Sequence, residues 1–180
     1  MNQTTIYTIG HSNHAIDEFI SLLKQHEIEA LVDIRRFPSS RRLPHFNRPN
    51  LAKALGEHGI EYHWLESLGG HRKKGLADSP NVGIRDLSFR NYADHMLGDE
   101  FREGADRLLE IADNSRAAIM CAEGSFHQCH RSLASEFLVA NGLTVQHILP
   151  TGELAPHKLS EGAKVQERAV TYPESHPLFD

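Results

Sequence analysis

The segment with the clearest chemical potential contains both cysteines of the chain, Cys121 and Cys129, followed directly by His130 and Arg131. Apolar residues precede Cys121, so we expect it at the end of a buried strand, where a free cysteine is often a small hydrophobic residue. Cys129 is expected just before a helix, and nearby positive charge and the helix dipole both lower a thiol pKa. Cys129 is therefore our candidate nucleophile, with His130 as an acid–base candidate.

Two charged residues of the same segment have alternative roles. Glu123 is a candidate acid or base, or it orients Arg131 through an ion pair. Arg131, in the first turn of the predicted helix, can clamp an oxyanion together with free backbone amides. The spacing of the two cysteines matches no standard zinc pattern, so we predict no metal ligands, and the sequence does not indicate which cofactor, if any, is used. A metal site built from the thiols and nearby histidines remains an alternative.

Polar residues also follow the first two predicted strands. His11 is an acid–base candidate beside Ser12, because a His-Ser pair is a poor choice for a core and histidine commonly serves in proton transfer. Asp33 lies within an apolar strand, and Arg35 and Arg36 follow it. These residues either contact an anionic substrate or form a structural pair, since a buried carboxylate must be paired or hydrogen-bonded.

A turn rich in glycine and basic residues follows the third predicted strand. Gly69 and Gly70 mark a turn, and they could also let a phosphate approach the backbone beside Arg72. The net charge is −5, yet residues 35–74 contain nine Lys or Arg against three acidic residues, an excess of six positive charges. Such a basic region on an acidic protein indicates a specific anionic ligand, or else a solvated loop.

The elements that must position these residues alternate between strand and helix. Hydrophobic patterning predicts strands at residues 5–9, 30–34, 60–64, 117–121 and 144–149, and helices at 14–25, around 51–55, at 99–113 and at 130–141. Residues 66–90 lack periodicity and are expected to form a loop. The alternation predicts an α/β three-layer sandwich with a mostly parallel sheet of about five strands and helices on both faces. Ligands of such sheets bind at the carboxyl ends of the strands, where the candidate residues converge.

Length and composition set the remaining expectations. We predict one α/β domain over residues 1–160, with Asn13 as a helix cap, and a C-terminal tail over residues 161–180. No apolar run approaches the roughly 20 residues that span a bilayer, so we expect no membrane partner. The N-terminus has no basic and apolar leader, and two cysteines suit a reducing compartment, which predicts a cytoplasmic protein. The oligomeric state is not indicated.

Five motifs occur in the order seen in a known family. They are Thr8-Ile9-Gly10-His11-Ser12, Val32-Asp33-Ile34-Arg35-Arg36-Phe37-Pro38, Pro44-His45-Phe46-Asn47, Leu68-Gly69-Gly70-His71-Arg72 and the segment from Cys121-Ala122-Glu123 to Cys129-His130-Arg131. The chain resembles the domain-of-unknown-function family 488 from about residue 5 to 160. The resemblance implies a bacterial or archaeal-type α/β domain and supplies no reaction. It adds His45 and Asn47, with Ser12, Gly69 and Gly70, to the candidate substrate-binding residues.

The sequence therefore favours an enzyme that acts on a small anionic or phosphate-bearing substrate, including a nucleotide or a nucleic-acid end, with hydrolase- or transferase-like chemistry. One alternative is a non-catalytic module that binds nucleic acid or a nucleotide through the same basic edge. A second alternative is a thiol or metal redox sensor. If the protein is an enzyme, removal of an acid–base group should stop turnover and leave ligand binding intact. A binding module should instead show salt-dependent affinity without turnover.

Overall fold

The structure, a computed structural model, describes residues 3–174. Its helices and strands, in chain order, are β1 (Thr5–Gly10), α1 (Ile16–Gln25), β2 (Ala30–Asp33), α2 (Arg48–Glu57), β3 (Glu61–Trp64), α3 (Leu87–His95), α4 (Asp99–Asn114), β4 (Ala117–Cys121), α5 (Arg131–Ala140), β5 (Thr144–Ile148), β6 (Leu154–Pro156), β7 (Lys164–Gln166) and β8 (Ala169–Thr171). Short 3-10 turns lie at Pro44–Phe46, Glu66–Leu68 and Phe126–Gln128.

The central sheet has six strands in the order β3-β2-β4-β1-β5-β6. The first five strands are parallel to their neighbours, and β6 adds an antiparallel edge to β5. The prediction of a mostly parallel α/β sheet is confirmed, with one short strand more than the five expected. β6 was not predicted because it has only three residues and both its ends are exposed.

The two faces of the sheet pack against separate groups of helices. On β1, Ile6 belongs to the core formed with α3, α4 and α5, whereas Tyr7 and Ile9 belong to the core formed with α1 and α2. This alternation follows from the two-residue period of a strand, which sends successive side chains to opposite faces. The result is the expected three-layer arrangement of helices, sheet and helices.

Two local predictions differ from the structure. α1 begins at Ile16 after Ala15, and no side chain caps it, so Asn13 is not its cap. α3 begins at Leu87, within the segment 66–90 that was expected to be a loop, and continues to His95. Its start is fixed by Asp86, whose carboxylate accepts hydrogen bonds from the backbone of Ser88 at 2.9 Å and of Phe89 at 3.1 Å. Such a cap supplies acceptors for amides that the first turn leaves unpaired.

The segment after residue 160 includes the β7–β8 hairpin. Val170 and Tyr172 are buried in the core, and the backbone N–H of Tyr172 donates to Asn81 Oδ1 at 2.9 Å. Residues 175–180 of the predicted tail lie outside the described residues. Within residues 3–174, none of the helices combines the length and the apolar character needed to cross a membrane.

Candidate functional site

A cavity of about 430 Å³ opens at the carboxyl ends of the central strands. Residue Gly10 at the end of β1 pairs with Cys121 at the end of β4. The chain leaves β1 towards one edge of the sheet and leaves β4 towards the other, since β2 and β5 lie on opposite sides of this pair. Strand connections that diverge in this way open a crevice, which is where ligands of open parallel sheets bind.

Seven of the fourteen predicted site residues line this cavity. They are His11, Arg35, Arg36, Gly70, Glu123, Cys129 and His130. Cys121 also lines it, below the exposed side chain of Glu123. All four acid–base or nucleophile candidates are therefore gathered at one place, as the convergence of parallel strand ends requires.

The two thiols lie together in the cavity wall and differ in acidity. Burial raises the pKa of Cys129, but hydrogen bonds from the Cys121 thiol and from the Arg131 backbone N–H, with the positive charge of Arg131, outweigh it. The pKa of Cys129 therefore lies below its ordinary value. Burial, followed by the hydrogen bond to Cys129, holds the pKa of Cys121 well above its usual range. The thiolate is the nucleophilic form, so the lower pKa favours Cys129 over Cys121 as the candidate nucleophile.

His130 is oriented by the end of the second strand. Its Nε2 lies 2.9 Å from the carbonyl of Ile34, which only accepts, so this nitrogen carries the proton. Burial lowers the pKa of His130, and its Nδ1 therefore offers a lone pair to Cys129 Sγ at 3.4 Å. Tyr92 packs edge-on against the ring, with centroids 4.9 Å apart. This geometry allows His130 to take the proton of the Cys129 thiol.

Arg35 is held in place by a fully buried carboxylate. Its Nε and Nη2 donate to Asp33 at 2.9 Å and 2.7 Å, and Tyr62 donates to the same carboxylate at 2.6 Å. A further bond joins Arg35 Nη2 to the carbonyl of Phe46 at 2.8 Å. Asp33 therefore orients the guanidinium and does not line the cavity, while Arg35 turns its Nη1 towards His11.

His11 packs flat on the ring of Phe46, with centroids 4.3 Å apart. Its Nδ1 donates to the carbonyl of Ser12 at 2.8 Å, which leaves Nε2 as an acceptor 3.5 Å from Arg35 Nη1. Burial is the main reason that the pKa of His11 falls to about 4, with the charge of Arg35 contributing. His11 is thus neutral at pH 7. Ser12 adopts the left-handed region at φ 49°, which places its carbonyl beside the imidazole.

The glycine pair allows one loop to approach the site closely. A Cβ on Gly70 would lie 2.7 Å from His130 Nδ1, and one on Gly69 would lie 2.7 Å from the Cα of Arg36. Real Cβ contacts of this length do not occur, so both positions need glycine for packing. Gly70 lines the cavity, whereas Gly69 supports the backbone that carries Arg36.

Two predicted anion-binding arginines lie elsewhere. Arg131 is 1% exposed and is not on the cavity wall, because its guanidinium donates to Thr8 Oγ1 at 3.0 Å and to the carbonyl of Glu123 at 3.1 Å. Arg72 turns away and donates to the carbonyls of Gly69 at 3.0 Å and Glu66 at 2.6 Å. Both join backbone segments around the site rather than facing the cavity.

Three predicted polar residues also lie outside the cavity wall, where each has a structural partner. His45 Nε2 lies 2.9 Å from the carbonyl of His14, and Asn47 Oδ1 accepts from the backbone N–H of Ser40 at 2.5 Å. Ser12 supports His11 through its carbonyl, as described above. Asn47 thereby fixes the loop whose residue Ser40 does line the cavity.

The cavity wall also contains residues that were not predicted, including Phe37, His71, Ser88, Phe89 and Tyr92. Ser88, Phe89 and Tyr92 belong to α3, the helix missed in the sequence. The Asp-Leu-Ser-Phe segment at residues 86–89 contains the signal that could have revealed it, since an aspartate before a short apolar pattern favours a helix start.

The family model described as "Domain of unknown function DUF488" matches residues 15–138. The chain belongs to this family. The matched range covers more than half of the chain and contains every predicted site residue except His11 and Ser12. No curated protein matches the chain, and no solved structure does. Membership of the DUF488 family agrees with the motif resemblance and leaves the chemistry to be argued from the cavity. Among residues 3–174, no group of three or more His, Cys, Asp or Glu side chains is arranged to hold a metal ion.

Proposed function

We propose that this DUF488 protein is an enzyme that acts on a small anionic substrate, with Cys129 as its nucleophile. The observation that carries the proposal is that Cys129 and Arg35 line the same cavity. A thiol of lowered pKa is suited to nucleophilic attack, and a fixed guanidinium is suited to bind a carboxylate or phosphate. At about 430 Å³, the cavity has the size of a small-molecule site.

The surrounding residues supply the proton transfers and the anion contacts. His130 Nδ1 accepts the thiol proton, and the resulting imidazolium can return it to a leaving group. Arg35 Nη1 and Arg36 contact the anionic group of the substrate, while neutral His11 contributes Nε2 as an acceptor. Glu123 lies at the exposed rim and is the second acid–base candidate. Because two unpaired thiols suit a reducing compartment, we place the reaction in the cytoplasm.

Alkylation of the thiols tests this proposal without knowledge of the substrate. The native protein is treated with iodoacetamide at pH 7, and each cysteine is followed by peptide mass spectrometry. We expect Cys129 to be modified well before Cys121, which serves as the internal control. Inorganic phosphate should slow the modification of Cys129, whereas chloride at the same ionic strength should not, because screening alone would act equally in both salts.

Variants of the two arginines connect this protection to the anion site. We expect Arg36→Gln to weaken phosphate protection several-fold. Arg35→Lys should abolish it, because one ammonium group cannot both pair with Asp33 and reach a ligand in the cavity as the guanidinium does. Exposed Lys24→Gln is the control, since it removes one charge from the far end of α1. Equal rates for both thiols, or phosphate protection unchanged in both arginine variants, would refute the proposal.

The contact between the two thiols favours a second candidate, a thiol redox sensor. Here Cys129 thiolate attacks a hydroperoxide, which becomes an alcohol or water as Cys129 is oxidised to a sulfenic acid. Cys121 then displaces water from that sulfenic acid and forms a disulfide. Stoichiometric peroxide should yield one Cys121–Cys129 disulfide by mass spectrometry. Over-oxidation of Cys129 with Cys121 left as a free thiol would exclude this candidate.

A further inference from the structure

A second cavity of about 410 Å³ lies beside the first, and Arg36 lines both. Its wall includes Arg72, Lys73, Lys74 and two acidic residues, Asp94 and Glu100. No residue of this second cavity other than Arg36 takes part in the reaction proposed above. Because Arg36 lines both, the two cavities are neighbours, as a site for one extended ligand requires.

The second cavity is positive because four Arg or Lys residues line it against two acidic residues, whose oxygens already have partners within the protein. The buried Asp94 carboxylate accepts from the Leu76 backbone N–H at 2.9 Å, from Ser79 Oγ at 2.6 Å and from Asn81 Nδ2 at 2.7 Å. Glu100 lies 3.5 Å from Arg72 Nη1. The side chains of Lys73 and Lys74 are exposed, and neither has an ion-pair partner among residues 3–174. These two ammonium groups remain available for anionic groups of a ligand.

An exposed aromatic ring stands beside this positive surface. Phe37 is 65% exposed although it lines the first cavity. The Arg36 guanidinium lies 5.6 Å from the centroid of its ring, and the imidazole of His71 lies 6.2 Å from it. Exposed aromatic rings flanked by cations are the stacking platforms on which proteins hold single-stranded nucleic acids. A simple anion such as phosphate has no planar group that could stack on such a ring.

We propose that the two cavities together bind the end of a single-stranded nucleic acid. The terminal phosphate occupies the first cavity against Arg35, a base stacks on Phe37, and the next phosphate passes Arg36 to Lys73 and Lys74. This assignment rests on the function proposed for the first cavity and names its substrate class. Single strands fit because their bases can be splayed apart to reach a ring. Because the protein carries a net charge of −5, the rest of its surface repels nucleic acid, so the bound segment is short and limited to this patch.

Binding is measured by fluorescence anisotropy with a 5′-phosphorylated thymidine tetranucleotide labelled at its 3′ end. The protein is the Cys129→Ser variant, which prevents turnover. We expect Lys73→Ala/Lys74→Ala to weaken binding about tenfold and to reduce the slope of log K against log salt by about 1.4, since each phosphate contact contributes about 0.7. Phe37→Ala should weaken binding about tenfold, within the range for loss of one stacked base.

The matched control is Lys24→Ala/Lys53→Ala, which removes two exposed lysines from helices α1 and α2 that line neither cavity. We expect its affinity to equal that of the parent. An equal loss in this control, or a tetraglutamate peptide that competes as well as the unlabelled tetranucleotide, would overturn the inference.

Two results separate this inference from the function on which it rests. If inorganic phosphate protects Cys129 but the tetranucleotide binds no more tightly than phosphate, the enzyme proposal stands and the nucleic-acid assignment fails. If the tetranucleotide binds with the expected dependence on Lys73, Lys74 and Phe37, yet Cys129 reacts no faster than Cys121, the site is a binding module and the catalytic proposal fails.

Discussion

The buried pair of Asp33 and Arg35 gives the sharpest quantitative test of the site. Asp33→Asn keeps the shape of the side chain but removes its charge. Asp33 is 0% exposed and Arg35 is 6% exposed, so the guanidinium would keep its charge with little access to water. The variant also replaces one acceptor oxygen with a donor that faces other donors, either from Arg35 or from the hydroxyl of Tyr62.

The expected cost follows from these contacts. Breaking a buried ion pair by removing one partner costs about 3–5 kcal/mol, because the remaining charge is left uncompensated. Tyr62→Phe removes only the 2.6 Å hydrogen bond to the same carboxylate and should cost about 1.5–3 kcal/mol. Since a domain is typically stable by about 5–15 kcal/mol, Asp33→Asn should still fold at 25 °C with a clearly lowered midpoint.

Urea denaturation followed by circular dichroism measures these differences as shifts of the midpoint at constant slope. The matched control is Glu61→Gln on the neighbouring strand β3, where the carboxylate is 65% exposed and lies 3.1 Å from His63. An exposed pair of this kind contributes less than about 1 kcal/mol. If Asp33→Asn costs no more than Glu61→Gln, Asp33 does not hold Arg35 and the account of the anion site is wrong.

Three further predictions concern the imidazoles and Arg131. The pKa of His11 is about 4 in the native state and about 6.5 in the unfolded state, so the free energy of unfolding should fall as the pH drops from 6.5 to 4. This fall should amount to at most about 3 kcal/mol in urea titrations. His11→Gln should abolish the contribution of His11 to it. Gly70→Ala should displace His130 and slow the alkylation of Cys129. The control is Gly56→Ala, whose Cβ meets nothing within 4 Å and which should leave the alkylation rate of Cys129 unchanged. Arg131→Lys should lower the free energy of unfolding by about 1–3 kcal/mol, because hydrogen bonds of the guanidinium are lost. Phosphate should still protect Cys129 in this variant, whereas a weakened protection would indicate that Arg131 binds the ligand.

The sheet could be predicted because its strands are short apolar runs that helices cover on both faces. Ala30–Asp33 and Ala117–Cys121 are buried at every residue, and short apolar runs of this kind are typical of strands that are covered on both faces. The helix α3 was missed because its apolar face is weak and includes the polar residues Asn91 and Asp94, which are buried. Their burial depends on hydrogen bonds to the preceding loop, which no local pattern reveals.

The meeting of half of the predicted residues at one cavity could be foreseen, but the partners of the charged residues could not. Parallel strands bring His11, Cys121 and the end of β2 to one edge, so convergence follows from topology alone. Asp33 and Arg35 are two residues apart and so face the same side of an extended chain, which made their pairing foreseeable. The partners of Arg72 and Arg131 are backbone carbonyls, and these depend on the course of distant loops rather than on residue type.

The four predicted arginines therefore lie in three places rather than in one positive cluster. Arg131 lies behind the strand ends, where its charge lowers the pKa of the Cys129 thiol without contacting a ligand. Arg35 and Arg36 line the cavity that Cys129 also lines, and Arg72 lines the second cavity. Because like charges repel most strongly at short range, this separation suits the proposed reaction, in which Arg131 helps to lower the pKa of the nucleophile while Arg35 and Arg36 bind the anion. In that reaction a single arginine could not serve both purposes, since a bound phosphate would offset its contribution to the lowered thiol pKa.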